Sequence, residues 1–246
     1  MKLFYAFLAC FLFQLSLNAQ QPCTQPAQVL QADLPGSLMD EGFEQKVKKG
    51  PFQLAQNGRF SYLKISQFSD IFLVWDETLV SMMKEVESSD GLILDLRGAH
   101  GNSMDLAYKL VSCFVDEKQE GHYSYDHKEN CNKGKVHTLR PHSKVKAFTK
   151  NVIVLTNQHT RQAAEITALV MRHLPNVSIV GKPTAGTLYH GPDGREHRSV
   201  SKVSMNDSGV PVDVEVHDAK LVFTKALEML RGVFVPKSVA KESWLR

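Results

Sequence analysis

The chain has 246 residues, of which 43% are hydrophobic and 22% charged, with 15 Gly and 10 Pro. That composition suits one globular domain and excludes collagen-like and wholly disordered chains. Twenty-nine basic residues stand against 26 acidic ones for a net charge of +3, and no basic stripe marks a nucleic-acid surface.

Met1-Lys2 precedes an apolar run, Leu3–Leu17, and a small residue at Ala19. This is the pattern of a secretory signal peptide cleaved after Ala19, so residues 1–19 fall outside the fold and the protein is expected to be exported, periplasmic or extracellular. The run is shorter than the ~20 residues that span a bilayer. No other stretch is long and apolar enough to cross one, so no membrane span is expected after cleavage. Export permits disulfides, and the mature chain keeps Cys23, Cys113 and Cys131. A Cys113–Cys131 bridge and a buried Cys113 thiol both remain open. With no CxxC pair, a thiolate zinc site is not expected.

Residues 20–59 read as an extended lead-in with at most a short strand at Gly50–Leu54. Phe60–Ile65 alternates as a strand does. Ser69-Asp70 can start a helix in which Ile71, Val74, Trp75, Thr78, Leu79, Met82 and Val86 recur at three-to-four spacing. Gly91–Leu96 is a nearly continuous apolar run, as in strands covered on both faces. Residues 97–102 form a turn, and Leu106, Leu110, Val111 and Phe114 share one face of a second helix. Residues 116–148 are polar and His-rich, with a hairpin near Gly121–Lys128 whose Tyr123 and Tyr125 suit a half-buried wall.

Val152–Thr156 is another buried strand. Thr160 suits the N-cap of a helix, Arg161–Leu174, carrying Ile166, Leu169, Val170 and Leu174. Val177–Val180 is a third buried strand. Alternating segments at 196–204 and 212–216 read as edge strands. A last helix, Ala219–Leu230, ends at Gly232 before a tail, 231–246. The alternation of strands and helices predicts an α/β fold with a mostly parallel sheet, its core at 60–230. Sites in such sheets lie at the carboxyl ends of the strands, here 97–102, 157–165 and 181–191.

Three blocks at those places, Gly91-Leu-Ile-Leu-Asp-Leu-Arg-Gly98, Thr156-Asn157 with Ala163-Ala164-Glu165, and Leu174-Pro-Asn-Val177 with Val180-Gly-Lys-Pro-Thr184-Ala-Gly186, resemble the tail-specific, or C-terminal-processing, serine peptidases. The tricorn core protease and the interphotoreceptor retinoid-binding protein belong to the same superfamily. The resemblance covers about Phe60 to Leu230. It implies a crotonase/ClpP-like core of strand-strand-helix units. It also implies a Ser nucleophile three residues before the Glu of Ala-Ala-Glu, and a general-base Lys 25 residues after that Ser. The oxyanion would be held by backbone N–H groups of the Gly-rich turn and of the residue after the nucleophile.

Carried onto this chain, the nucleophile position holds Gln162 and the base position Thr187. The oxyanion or peptide-binding positions fall on Gly98, Gly101, Asn102 and Ala163, with Arg161 adding charge. A carboxamide is no nucleophile and Thr187 no base, so the standard acyl-transfer chemistry is expected to be absent. A free helix start with Gln162 and Arg161 still suits a carboxylate, so the expected partner is a peptide or protein C-terminus. In the other reading, Gln162 and Arg161 are ordinary exposed residues. Glu165 either orients the helix start or complements its dipole.

Two hydroxyls are alternatives for a displaced nucleophile in an active peptidase: Thr160 and Ser103, both also natural caps. His100 and His159 sit in turns at one sheet edge, either as a facing base or weak metal pair or as solvent-facing residues. His122, His127, His137 and His142 lack metal-ligand spacing and read as solvated loop residues. No metal and no cofactor are expected.

Overall fold

The computed structural model describes residues 36–71, 74–126, 135–187, 195–199 and 209–232, with 125–126 and 195–199 entering through their backbone only. All lie within the unit Leu34–Arg246. The signal segment, Cys23, Cys131, His127 and most of the tail fall outside the described residues.

Three strands open the sheet as an antiparallel meander: β1 (Glu44–Lys49), β2 (Phe52–Gln56) and β3 (Phe60–Ile65). From β3 onward the sheet is parallel, through β4 (Gly91–Asp95), β7 (Asn151–Thr156), β8 (Val177–Gly181) and β10 (Val214–Glu215). The seven strands run in the order β1-β2-β3-β4-β7-β8-β10. Helices cover both faces: α1 (Gly36–Asp40), α2 (Trp75–Val86), α3 (Met104–Ser112), α4 (Ala163–Met171) and α5 (Leu221–Leu230).

Burial on both faces explains the apolar runs. All five residues of β4 are buried. Strand alternation then divides the core in two. Leu92, Leu94, Val152, Val154 and Ile179 pack with residues of α2, α3 and α4. Ile93, Ile153, Leu155 and Val180 pack with Leu38 of α1 and with Val222, Phe223, Ala226 and Leu227 of α5. Truncating a Leu or Ile among them to Ala typically costs about 2–5 kcal/mol.

The expected mostly parallel α/β core is present. The expected extended lead-in is different: it supplies α1, β1 and β2. Phe52, Leu54 and Ala55 are buried, whereas β1 is exposed but for half-buried Val47, so its sequence lacks the apolar face that announces a strand. α2 begins at Trp75, not at Ser69-Asp70, because Asp70 accepts a bond from Ser103 instead of capping a helix. The segment expected as a strand at 196–204 is β9 (Arg195–Ser199) over its described part, residues 200–204 lying outside the described set, and the one at 212–216 narrows to β10.

A second sheet, in the order β6-β5-β9, consists of β5 (Gln119–Asp126), β6 (Lys135–Leu139) and β9, all antiparallel. It corrects the reading of the histidines. His122 is 0% exposed and stacks on His137 of the neighbouring strand, with ring centroids 4.3 Å apart and planes 5° from parallel. Tyr108 of α3 hydrogen-bonds His122 Nδ1, and Ser124 Oγ pairs with His137 Nε2 at 2.9 Å. These imidazoles join a packed layer, His122 buried and His137 half-buried. His142 Nε2 lies 3.4 Å from Asp76 Oδ1. Cys113 closes α3 as a buried thiol donating to Lys109 O, and burial pushes its pKa up to about 12.

Candidate active site

The turns after β4, β7 and β8 meet at one edge of the sheet. Asp95, the last residue of β4, anchors the first. It is fully buried, accepts from the Tyr62 hydroxyl at 2.7 Å, and is gripped by Arg97 Nε at 2.9 Å and Arg97 Nη2 at 2.7 Å. Burial alone would raise its pKa. The Arg97 bonds and charge outweigh that and hold the carboxyl below its ordinary value.

Side chains from the second turn lock it to the first. Thr160 is 0% exposed; its hydroxyl donates to Leu96 O at 2.8 Å and accepts from Asn157 N–H at 3.1 Å. Asn157 Oδ1 accepts from Gly98 N–H at 3.0 Å and from His159 N–H at 3.0 Å. Residues 99–101 then run beside 161–163. Arg161 N–H donates to Ala99 O, and Ala163 N–H donates to Gly101 O, each at 2.9 Å. Gly101 is required here: at φ +126 a Cβ would stand 2.2 Å from Phe68 O.

Gln162, not Thr160, is the N-cap of α4. Its backbone is at φ 55, ψ −121, and it is the only non-glycine with positive φ among the described residues. An L-residue held there is strained and persists only where its surroundings over-determine it. Here they do. The Gln162 N–H is shared between Glu165 Oε2 at 2.9 Å and Thr187 Oγ1 at 3.1 Å. The Gln162 side-chain oxygen accepts from Gly101 N–H at 3.3 Å.

Glu165 organises the third turn from inside. It is 0% exposed. Oε1 accepts from the Thr184 hydroxyl at 2.7 Å and Gly186 N–H at 2.6 Å, and Oε2 accepts from the Thr187 hydroxyl as well as from Gln162 N–H. No cation pairs with it among the described residues; four donors and the start of α4 compensate its charge.

These residues leave a cleft of about 420 Å³ lined by His100, His159, Arg161, Gln162 and Thr187. The positions that the resemblance pairs, 162 and 187, are therefore brought together, with Arg161 beside them. The turn positions behave otherwise. Gly98 N–H is committed to Asn157. None of Gly98, Gly101 and Ala163 lines the cleft; Gly101 N–H is taken by the Gln162 amide, and Ala163 N–H by Gly101 O. Asn102 is exposed and does not line the cleft. Neither Thr160 nor Ser103 lines it; the Ser103 hydroxyl donates to Asp70 at 2.8 Å. His100 and His159 do share it, and His100 Nδ1 lies 3.3 Å from Gly98 O. Among the described residues no group of three or more His, Cys, Asp or Glu is placed to hold a metal. Sequence reasoning passed over Thr184, which stands in the quoted Gly-Lys-Pro-Thr block and bonds the carboxylate it would have been paired with.

Residues 59–191 match peptidase family S41. The chain belongs to this family. Over 102 residues it is 32% identical to the carboxy-terminal processing protease CtpA of Bacillus subtilis strain 168, a match covering 42% of this chain and 21% of that protein. This S41 chain thus aligns with about a fifth of that relative's length. Two solved structures share its fold. One is a protein of Parabacteroides merdae ATCC 43184 assigned as a peptidase (TM-score 0.64, 21% identity, covering 80% of this chain and 68% of that one). The other is the photosystem II D1 C-terminal processing protease (TM-score 0.53, 19% identity, covering 70% and 50%).

Proposed function

We propose that this S41-family protein is exported and grips the end of a peptide or protein chain at the cleft without cutting it. The observation that carries the reading is the Gln162 carboxamide at the head of α4, with the Thr187 hydroxyl beside it and, among the described residues, no lysine lining the cleft. The site keeps a strained residue at the head of α4, but a carboxamide stands there, and Gly101 N–H and Ala163 N–H are both occupied from within. Acyl transfer needs a nucleophile and a base, and neither a carboxamide at 162 nor a hydroxyl at 187 supplies them. What faces the cleft is one cation, Arg161, together with two imidazoles, the Thr187 hydroxyl and the Gln162 amide. That suits a terminal carboxylate. The relatives CtpA and the D1 protease are named for processing carboxy-termini, which supports the choice of ligand end.

The alternative, an active serine-type peptidase with Thr160 or Ser103 as nucleophile, asks a hydroxyl outside the cleft to attack within it. Labelling with a fluorophosphonate separates the two readings. The non-cutting reading expects no covalent adduct on the purified protein; stoichiometric labelling of a Ser or Thr overturns it. Calorimetric titration with N-acetyl-tetraalanine, carrying either a free carboxylate or a terminal amide, tests the ligand end. The free carboxylate is expected to bind more tightly, and equal binding removes the carboxylate reading.

A further inference from the structure

We propose that the Gln162 carboxamide acts as an internal ligand of the cleft: its oxygen holds the Gly101 N–H that an incoming carboxylate would take, so Gln162 lowers the affinity of the site. The inference rests on the carboxylate reading above and concerns what controls that same site.

The bond from Gly101 N–H to Gln162 Oε1 is 3.3 Å long, just beyond the usual range for N–H···O bonds. Both partners are neutral. A carboxylate in the same place would make a charge-assisted bond about twice as strong. The donor is held by the fold, whereas the acceptor is a side chain, one that also caps the Glu165 N–H at the head of α4. Gly101 is wedged at φ +126 against the Phe68 backbone, and its carbonyl is tied to Ala163 N–H, so its N–H keeps its direction if the amide leaves. Gln162 is half-buried and lines the cleft, and its side chain turns about three single bonds. Its backbone stays behind, held by Glu165 and Thr187. Arg161, exposed and without a carboxylate partner among the described residues, supplies the attraction that makes exchange of a neutral acceptor for a charged one favourable. Ligand binding thus becomes displacement of a built-in competitor.

The consequence runs against the usual expectation for a binding-site residue. Gln162→Ala, and Gln162→Met, which keeps the length but removes the oxygen, free the Gly101 donor. Each is expected to bind free-carboxylate N-acetyl-tetraalanine about three- to tenfold more tightly than the natural protein, the range one net hydrogen bond spans. Gln162→Glu sets a charged oxygen on the same donor and is expected to weaken binding about tenfold. In the natural protein, titration with this peptide is expected to shift the NMR signals of the Gly101 amide and the Gln162 side-chain NH₂ together. If the Ala and Met variants bind as the natural protein does or more weakly, while the natural protein still prefers carboxylate to amide, the competitor role is overturned and the cleft reading stands. A bound peptide that leaves the Gly101 signal unmoved overturns it as well. If no form distinguishes the carboxylate from the amide, the cleft reading falls and the competitor role with it.

Discussion

Asp95 and Arg97, two positions apart in the chain, form a buried ion pair in which the guanidinium reaches both carboxylate oxygens at 2.7–2.9 Å. Arg97 N–H also donates to Asp95 Oδ1 at 2.9 Å, so the pair shapes the turn that leads into the cleft. Removing one partner of such a pair leaves an uncompensated buried charge, which typically costs about 3–5 kcal/mol. Arg97→Ala is expected to lower stability by that amount in urea denaturation. A loss below about 1 kcal/mol would mean the pair contributes little.

The same pair sets an acid limit. The folded-state pKa of Asp95 lies below its ordinary value, so the folded protein binds this proton less readily than the unfolded chain. Its contribution is complete above the unfolded value of about 3.9 and fades as pH falls through the lower folded value. Arg97→Ala is expected to unfold at higher pH than the natural protein, read by far-ultraviolet circular dichroism between pH 5 and 2.

His173 limits the protein on the neutral side. Burial, reinforced by the Arg172 charge, depresses its pKa, and its Nε2 is buried without a hydrogen-bond partner among the described residues. The folded state therefore favours the neutral imidazole. Stability is complete above the unfolded value of about 6.5 and is lost as pH falls through the depressed one. Replacing His173 by Phe is expected to flatten the stability profile between about pH 6.5 and 5, measured by denaturation at each pH.

Gln162 pays strain at its backbone. Its φ and ψ match the first central position of a type II′ turn, which favours Gly. Gln162→Gly is expected to stabilise the protein by about 1 kcal/mol, a rise in Tm of about 2–4 °C for a chain of this size. A fall in Tm would show that the amide bond to Gly101 outweighs the backbone gain.

Glu165 is the opposite case. Glu165→Ala removes the acceptor of the buried Thr184 hydroxyl and Gly186 N–H and of the half-buried Thr187 hydroxyl, and leaves Gln162 N–H with Thr187 alone; each unsatisfied buried donor costs about 1–3 kcal/mol. A loss of at least about 3 kcal/mol is expected. Glu165→Gln, which keeps one acceptor oxygen, should lose less, and equal losses in the two variants would refute the donor count.

The parallel strands were legible because β4, β7 and β8 are shielded on both faces, so their sequences show unbroken apolar runs. β1 was not: its lysines face water along an open edge and carry no pattern. The meeting of positions 162 and 187 was expected from the family resemblance alone, and the bond from Gln162 N–H to Thr187 Oγ1 brings them together. Thr160 was misread as the N-cap because its hydroxyl serves Leu96, 64 residues away, a partner that no local rule supplies. The burial of His122 and its stacking on His137 were hidden for a similar reason. Both arise from strand pairing and from Tyr108 on α3, and nothing within Gly121–Lys128 announces either.

Every residue of α4 is buried. A helix walled in on all sides cannot tilt or slide without tearing its packing, so it serves as the fixed anvil of the cleft. Any accommodation of a guest falls to the side chains that line the cleft: His100, His159, Arg161, Gln162 and Thr187. Affinity can then be retuned by side-chain changes alone, while the frame that aims them stays put.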